Sequence, residues 1–481
     1  MISKLIAALP PSLPAARDPE RRKGSGDARL DRKKARVREL GNVRRPRRRT
    51  TPAFADRESP KRKSHLVEAE PNAVRSCEIL VVGAGMAGLV SAIGFEQAGF
   101  DVALCGAPER IANGRTVALL DSSVRLVKAL DLWAGVEPRA APLCALRIVD
   151  DTGSLWSAPP VEFRASEIGL EAFGWNIENA QLVDALFIAA QARPRLQIVE
   201  SRVAAYEFGA SSARARCENG VVVAAKLIVA ADGRGSPARK AAGIDASTHR
   251  YPQTALTLIV THSRPHHDFS TEFHARAGPF TLVPLPRSPS HALRSSLVWV
   301  MSSPEARRRA ALDDRTLGEE IEAQSQSILG KVEIEGQRGA FPLIAQSAAQ
   351  ITAPRLALIG DAAHVLPPIG AQGLNLGLRD GAHLVEAALQ ARAEGRDIGG
   401  AETLAHYAGL RRPDVAFRTG AVDGLNRSLL AALPPVDFLR GAGLTALGAI
   451  GPLRRFVMRE GVSPHFSTPK LMRAGQIQRA G

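Results

Sequence analysis

The run Gly83-Ala84-Gly85-Met86-Ala87-Gly88 limits what this chain can fold into more than any other feature. It follows Glu78-Ile79-Leu80-Val81-Val82, which reads as a buried strand, and it opens Met86–Ala98, which reads as a helix. Residues 101–105 (Asp-Val-Ala-Leu-Cys) read as a second strand and complete a βαβ unit. In that setting each glycine has its own task. Gly83 permits the tight turn, Gly85 lets a pyrophosphate approach the backbone, and Gly88 lets helix and strand pack closely. The helix N-terminus adds free N–H groups and partial positive charge. The spacing therefore predicts a dinucleotide-binding site. An acidic residue about 20 positions on usually binds the ribose hydroxyls, but here the second strand ends in Cys105-Gly106. Glu109 lies close by, as a substitute or as a solvated loop charge.

Length and charge bound the rest. A chain of 481 residues is too long for one small core, so two or three subdomains are expected. With 45% hydrophobic and 23% charged residues it fits neither collagen-like, coiled-coil nor multi-span membrane classes. The net charge of +15 is not spread evenly: residues 1–75 hold 21 Lys and Arg against 9 Asp and Glu, and the remainder holds 42 against 39. The basicity belongs to the tail, and nothing beyond it calls for a specific nucleic acid. Runs such as Arg44-Arg45-Pro46-Arg47-Arg48-Arg49, with Phe54 as the tail's only aromatic, predict disorder. Three readings of residues 1–75 stand open: a non-native extension, a solvated tail touching acidic lipid or nucleic acid, and a targeting peptide. Cys77, Cys105, Cys144 and Cys217 have no metal-ligand spacing, and scattered thiols point to a reducing compartment, the cytoplasm. No stretch approaches 18 apolar residues, so no bilayer span is expected.

Two further motifs follow buried strands. Lys226–Ala230 runs into Ala231-Asp232-Gly233-Arg234-Gly235-Ser236. Arg355–Ile359 runs into Gly360-Asp361-Ala362-Ala363-His364-Val365-Leu366-Pro367-Pro368-Ile369-Gly370-Ala371-Gln372-Gly373-Leu374-Asn375-Leu376-Gly377, with Asp380 beyond it and a long helix over Gly373–Ala393. A buried strand delivers Asp361 to the carboxyl edge of a sheet, where doubly wound folds bind ligands. Asn179–Ala192 reads as a helix, and residues 251–300, with alternating β-branched and polar positions, read as antiparallel sheet. The fold class expected is α/β: a Rossmann-like, discontinuous nucleotide-binding domain with an antiparallel-sheet domain and C-terminal helices. Its boundaries are a tail at 1–75, nucleotide-binding segments at 76–145, 176–250 and 340–400, sheet segments at 146–175 and 251–339, and helices at 401–481.

Together these residues resemble the FAD-dependent aromatic hydroxylases of the para-hydroxybenzoate hydroxylase fold. Within that group, His364 to Asn375 and Gly114-Arg115-Thr116-Val117-Ala118-Leu119-Leu120 are most similar to the ubiquinone-biosynthesis hydroxylases of the 2-octaprenyl-6-methoxyphenol hydroxylase type. The resemblance spans about residues 76–460. It implies cofactor-binding roles for Gly83, Gly85, Gly88, Arg115, Asp232, Gly233, Gly360, Asp361, Pro368, Gly370, Gln372, Gly373 and Asn375. Asp361 would hold the flavin ribityl chain. Ala180 departs from the pattern, standing after Asn179 where many members carry Arg.

The chemistry so implied is reduction of FAD by NADH or NADPH, then addition of O₂ to give a flavin C4a-hydroperoxide that hydroxylates a polyprenylated phenol. The general base is not legible. Tyr206, Tyr251 and Tyr407 lie outside the motifs; His364 is a candidate, either as a chemical group or as a structural histidine orienting the Pro-Pro loop. His266-His267 reads as a solvated loop rather than a metal pair. Over Leu425–Met458, apolar clusters alternate with Arg440, Arg454 and Arg455. That segment suits either an interfacial helix drawing substrate from the inner face of the cell membrane or helices covering the flavin domain. The implied partners are the membrane surface and other ubiquinone-biosynthesis proteins. The rival functions are a hydroxylase of a soluble aromatic or secondary metabolite, a flavin reductase of prenyl chains, and a non-catalytic flavoprotein scaffold.

Overall fold

The computed structural model describes residues 74–110, 113–154, 158–368, 370–430, 434–464 and 468–473. The basic tail over 1–73 lies outside these residues, as do the apolar residues 431–433 and the side chains of Phe438, Leu439 and Arg440. All described residues fall within one compact unit, Lys63–Gly481.

The described residues open with strand β1 (Val74–Val82), helix α1 (Met86–Gln97) and strand β2 (Val102–Cys105). Next come β3 (Thr116–Leu120), β4 (Val222–Ala230), β5 (Ala246–His262), β6 (Arg294–Ser302), β7 (Val332–Ala348) and β8 (Leu356–Leu358). Helices α2 (Gln372–Ala393), α3 (Ala401–Leu430) and α4 (Gly451–Val462) lie in the C-terminal part.

The first sheet has β8, β4, β1, β2 and Leu196–Val199 side by side, all parallel. Ile79–Val82, Leu227–Ala230 and Leu356–Leu358 are buried. Short, wholly apolar runs form central strands because both faces are covered. Helices such as α1 and α2 cover one, and strands Val203–Phe208 and Ala213–Cys217 with the short helix Pro237–Ala241 cover the other. In register, Val82 stands beside both Ala230 and Cys105, and Ala230 stands beside Leu358. The loops after β1, β2, β4 and β8 therefore leave one edge at one level.

The second sheet is antiparallel apart from one parallel pair, Phe269–Ala275 with Ala145–Asp150, and centres on β5, β6 and β7. Its outer face is packed under Ser303–Ala310 and Asp314–Gln324 through Leu256, Leu258, Phe280, Leu297 and Trp299. The Rossmann-like fold with an antiparallel sheet and C-terminal helices is thus the observed architecture.

The expected boundaries need correction. Positions 250/251 and 339/340 fall inside β5 and β7, two 17-residue strands that run through as single elements. Their outer parts pair with each other, Ala246 with Ala348 and Arg250 with Ile344. Exposed polar residues such as Thr248, His249 and Arg250 leave no apolar alternation to read there. Likewise β1 begins at Val74 rather than Glu78, two residues inside the expected tail, because Val74–Cys77 pair with Val222–Ala225.

Candidate active site

The three glycine motifs meet at the edge where β1, β4 and β8 end. Gly83 has φ +108, and a Cβ there would lie 2.3 Å from the Ala231 carbonyl oxygen, so the first and second motifs touch. A Cβ on Gly88 would lie 1.9 Å from the Gly83 oxygen. A Cβ on Gly106 would come within 2.9 Å of the Ala84 nitrogen, which brings the end of β2 against the same turn. The third motif closes the group: a Cβ on Gly360 would lie 3.5 Å from Ala87 Cβ of α1. Buried Arg239 joins the second motif to the third by donating from Nη1 to the Ala362 oxygen at 2.6 Å.

Gly85 differs from its neighbours. It is the N-cap of α1 with φ −78, and a Cβ there would meet nothing within 4 Å. Internal packing does not require glycine at that position. The first turn of α1 has no side-chain cap and no acidic residue, so its N–H groups face open space. The start of α2 is similar, uncapped at Ala371, with open space beside Gly373. These are two helix N-termini with positive partial charge beside the same sheet edge, a fit for an anionic dinucleotide.

Asp361 lies in the single turn Gly360–Ala362 and opens toward the cleft. Crowding by protein raises its carboxyl above the ordinary range, while His364, Arg115 and Arg234 pull it the other way. Arg115, exposed, has its guanidinium 5.0 Å from the Phe341 ring centre in β7. The strap carrying it crosses the second sheet so closely that a Cβ on Gly114 would lie 2.5 Å from Leu258 Cα. Asp232 accepts from the Ala238 N–H at 3.0 Å with one oxygen, and its other oxygen is buried without a partner among the described residues. Burial also raises the Asp232 carboxyl. Glu109 is exposed at the rim, 3.8 Å from Arg202. Asn179, whose N–H donates to the Arg115 oxygen at 3.1 Å, keeps its Oδ1 buried and unpartnered among the described residues.

Two expected site residues turn out to be internal. Asn375 is buried, with Oδ1 accepting from Leu120 N at 2.9 Å and Nδ2 donating to Ala118 O at 2.8 Å and Ala371 O at 2.6 Å. Its amide ties β3 to the start of α2, with both polar atoms engaged inside the protein. His364 is also buried, with Nε2 2.7 Å from Asp380 Oδ2. The same oxygen accepts from Gly360 N at 2.9 Å, and the other accepts from Arg411 Nε at 2.7 Å. His364 is thus tied through Nε2 under the motif, while its Nδ1 is buried without a partner among the described residues.

Beneath it lies a cluster that sequence reasoning missed. Asp414 accepts from Arg379 Nε and Arg418 Nε, each at 2.9 Å, and forms an ion pair with Arg411, whose Nη1 is 3.0 Å away. Three guanidiniums surround two carboxylates, and all five side chains are buried. Burial brings Arg379 down to about 10, against the upward pull of Asp414. In sequence, Arg411, Asp414 and Arg418 have the i, i+3, i+7 spacing of a solvated helix face. Only contact with α2 makes them internal.

Two of the tyrosines lie under this edge rather than on it, Tyr407 at the end of β8 and Tyr206 near Asp232, whose charge adds to burial in raising its hydroxyl. Tyr407 donates to the Leu358 oxygen at 2.9 Å, Tyr251 donates to Asp423 at 2.6 Å, and the Tyr206 hydroxyl is buried without a partner among the described residues. A cavity of about 470 Å³ beside His266 and His267 lies across the second sheet. It is lined by Ser295, whereas the next residue, Ser296, bonds Thr116 at 2.8 Å on the opposite face. Among the described residues no group of three His, Cys, Asp or Glu could hold a metal.

The FAD binding domain family matches residues 76–416. The chain belongs to that family. This flavoprotein is 33% identical over 395 residues to ubiquinone hydroxylase UbiL of Rhodospirillum rubrum, covering 81% of this chain and 90% of the relative. It is 31% identical to the 3-demethoxyubiquinol 3-hydroxylase of Escherichia coli, covering 79% of this chain and 97% of the relative. Among solved structures, p-nitrophenol 4-monooxygenase PnpA of Pseudomonas putida shares the fold, with a TM-score of 0.66 at 18% identity over 80% of this chain and 98% of that one.

Proposed function

We propose that this flavoprotein is an FAD-dependent aromatic monooxygenase that hydroxylates the ring of a polyprenylated phenol in ubiquinone biosynthesis, with NADH or NADPH and O₂ as co-substrates. The convergence of three motif turns and two uncapped helix N-termini around Asp361 carries this reading. Bound FAD would supply the transfer of electrons to O₂ and of oxygen to the ring. The chain's own residues bind and orient it. Gly85 at the start of α1 would receive the pyrophosphate, with Gly83 and Gly88 shaping the turn behind it; Asp361 would accept from the ribityl hydroxyls, and the start of α2 would stabilise negative charge on reduced flavin. Asp232, Gly233, Arg115, Pro368, Gly370, Gln372 and Gly373 complete the lining. Asp361→Ala is expected to weaken FAD binding roughly ten-fold or more, since a carboxylate hydrogen bond contributes about 1.5–3 kcal/mol. Retention of stoichiometric FAD through dilution would remove that role from Asp361.

Helix α4 supports the polyprenylated substrate over a soluble one. Phe456 is 61% exposed, Ile450, Leu453 and Val457 are exposed beside it, and Arg455 and Arg459 flank them. Arg454, expected to share in surface charge, is instead drawn in by Glu167 and lies over Phe163. Among the described residues no helix is long and apolar enough to cross a membrane. Docking at the inner face of the cell membrane would therefore be peripheral, with each buried CH₂ contributing about 0.8 kcal/mol. The protein lacking its basic residues 1–73 should co-sediment with anionic liposomes at low salt, with Arg455→Glu/Arg459→Glu releasing it while FAD stays bound. Indifference to liposomes at every salt concentration would favour delivery by another ubiquinone-biosynthesis protein, or a soluble substrate.

A further inference from the structure

Gly370 and Ala371 are consecutive residues in left-handed conformation, with φ +65 and φ +52, immediately before α2. Alanine resists that conformation because its Cβ crowds the following carbonyl. Turns of this kind aim backbone N–H groups into one concavity suited to negative charge. Something must hold the turn, and the structure shows what does. Gln372 Nε2 donates to the Gly370 oxygen at 2.9 Å, and Asn375 Nδ2 donates to the Ala371 oxygen. Gln372 is itself fixed, since its Oε1 accepts from Arg418 Nη1.

Arg418 spends each arm on a different element. Nε donates to Asp414 at 2.9 Å within α3, Nη2 donates to the Glu460 oxygen of α4 at 3.1 Å, and Nη1 reaches Gln372 at the start of α2. Its side chain is 6% exposed. No other residue type offers a rigid planar fork with donors in three directions. We propose that Arg418 is a positioning residue for the reduced flavin, acting through Gln372 to hold the Gly370–Ala371 turn in the shape that favours negative charge. This rests on the flavin reading above. Reduction adds that charge, so the turn should favour the reduced cofactor over the oxidised one.

The test compares the full chain with its Arg418→Met, Gln372→Leu and double variants, each loaded with FAD. The two-electron potential of the bound flavin is read by dye equilibration, and melting temperature is measured alongside. Removing the strut should lower the ratio of reduced to oxidised FAD affinity about ten-fold, a shift of about 30 mV to lower potential. Gln372→Leu leaves every formal charge in place, so a shift in that variant reports geometry rather than lost cationic charge. The double variant should shift no further than Arg418→Met alone, since both residues act on one turn. A wild-type potential in Gln372→Leu, or shifts that add in the double variant, would overturn the proposal. If Arg418→Met does not fold, Gln372→Leu alone decides it. Failure of the wild-type chain to bind FAD would sink the flavin reading instead, a separate outcome.

Discussion

Asp414→Ala is expected to cost about 3–5 kcal/mol of folding stability, because it strips the shared carboxylate from three buried guanidiniums. Asp380 would remain bonded to Arg411, leaving Arg379 and Arg418 as uncompensated charges. Urea unfolding of the variant should show a midpoint far below wild type, or no soluble protein at all. A midpoint within error of wild type would mean the cluster contributes little. The same residues set an acid limit. Burial alone would raise Asp414 and Asp380, but the arginines, with His364 acting on Asp380, more than offset it and hold both below the ordinary range. A carboxylate depressed in the folded state contributes stability that is fully present above its unfolded pKa of about 3.9. That stability is lost as pH falls through the folded values. Unfolding should therefore steepen below about pH 4, and Asp414→Asn, in protein that still folds, should flatten the profile there.

Gly85→Val is expected to leave the fold and abolish FAD binding. The backbone at Gly85 has φ −78 and ψ 174, which valine adopts, and a Cβ there meets no protein atom within 4 Å. The change should cost the apo protein less than about 1 kcal/mol, the loss of a tolerated N-cap. Its branches would fill the space in front of the α1 N-terminus. Losing two charge-assisted hydrogen bonds to phosphate, each contributing about 1.5–3 kcal/mol, corresponds to roughly a hundred-fold or greater loss of affinity. Gly88→Ala is the control with the opposite pattern. Its Cβ would sit 1.9 Å from the Gly83 oxygen, so it should damage the fold before it damages binding. Equilibrium titration with FAD, paired with apo melting temperatures, separates the two. Wild-type affinity in Gly85→Val would show that the pyrophosphate does not lie against α1.

The division between sequence and structure follows from the range of the forces involved. Where a short stretch of chain carries its own reason for a shape, the sequence alone determined the outcome. Apolar runs at 79–82, 227–230 and 356–358 made central strands, since residues that are apolar on both faces have only a doubly covered sheet to enter. Gly83, Gly85 and Gly88 defined a turn, an open approach and a close crossing from spacing alone, and the structure gives each of them that surrounding. The position of Asp361 at the sheet edge was legible for the same reason, as an acid directly after a buried strand.

Partnership across the fold was not legible. Asn375 and His364 sit inside the most informative motif, yet both are buried, the Asn375 amide tied to β3 and His364 Nε2 to Asp380, a choice made by how α2 packs against its neighbours. Arg411, Asp414 and Arg418 have the spacing of a wet helix face. They became a buried network only when α3 laid that face on Arg379 and Asp380 of α2. Arg454 and Arg455 are adjacent and chemically identical, but Glu167, 287 positions before Arg454, pulls in one and leaves the other in solvent. A charge in isolation prefers water, and whether it can leave water depends on a partner that only tertiary contact supplies.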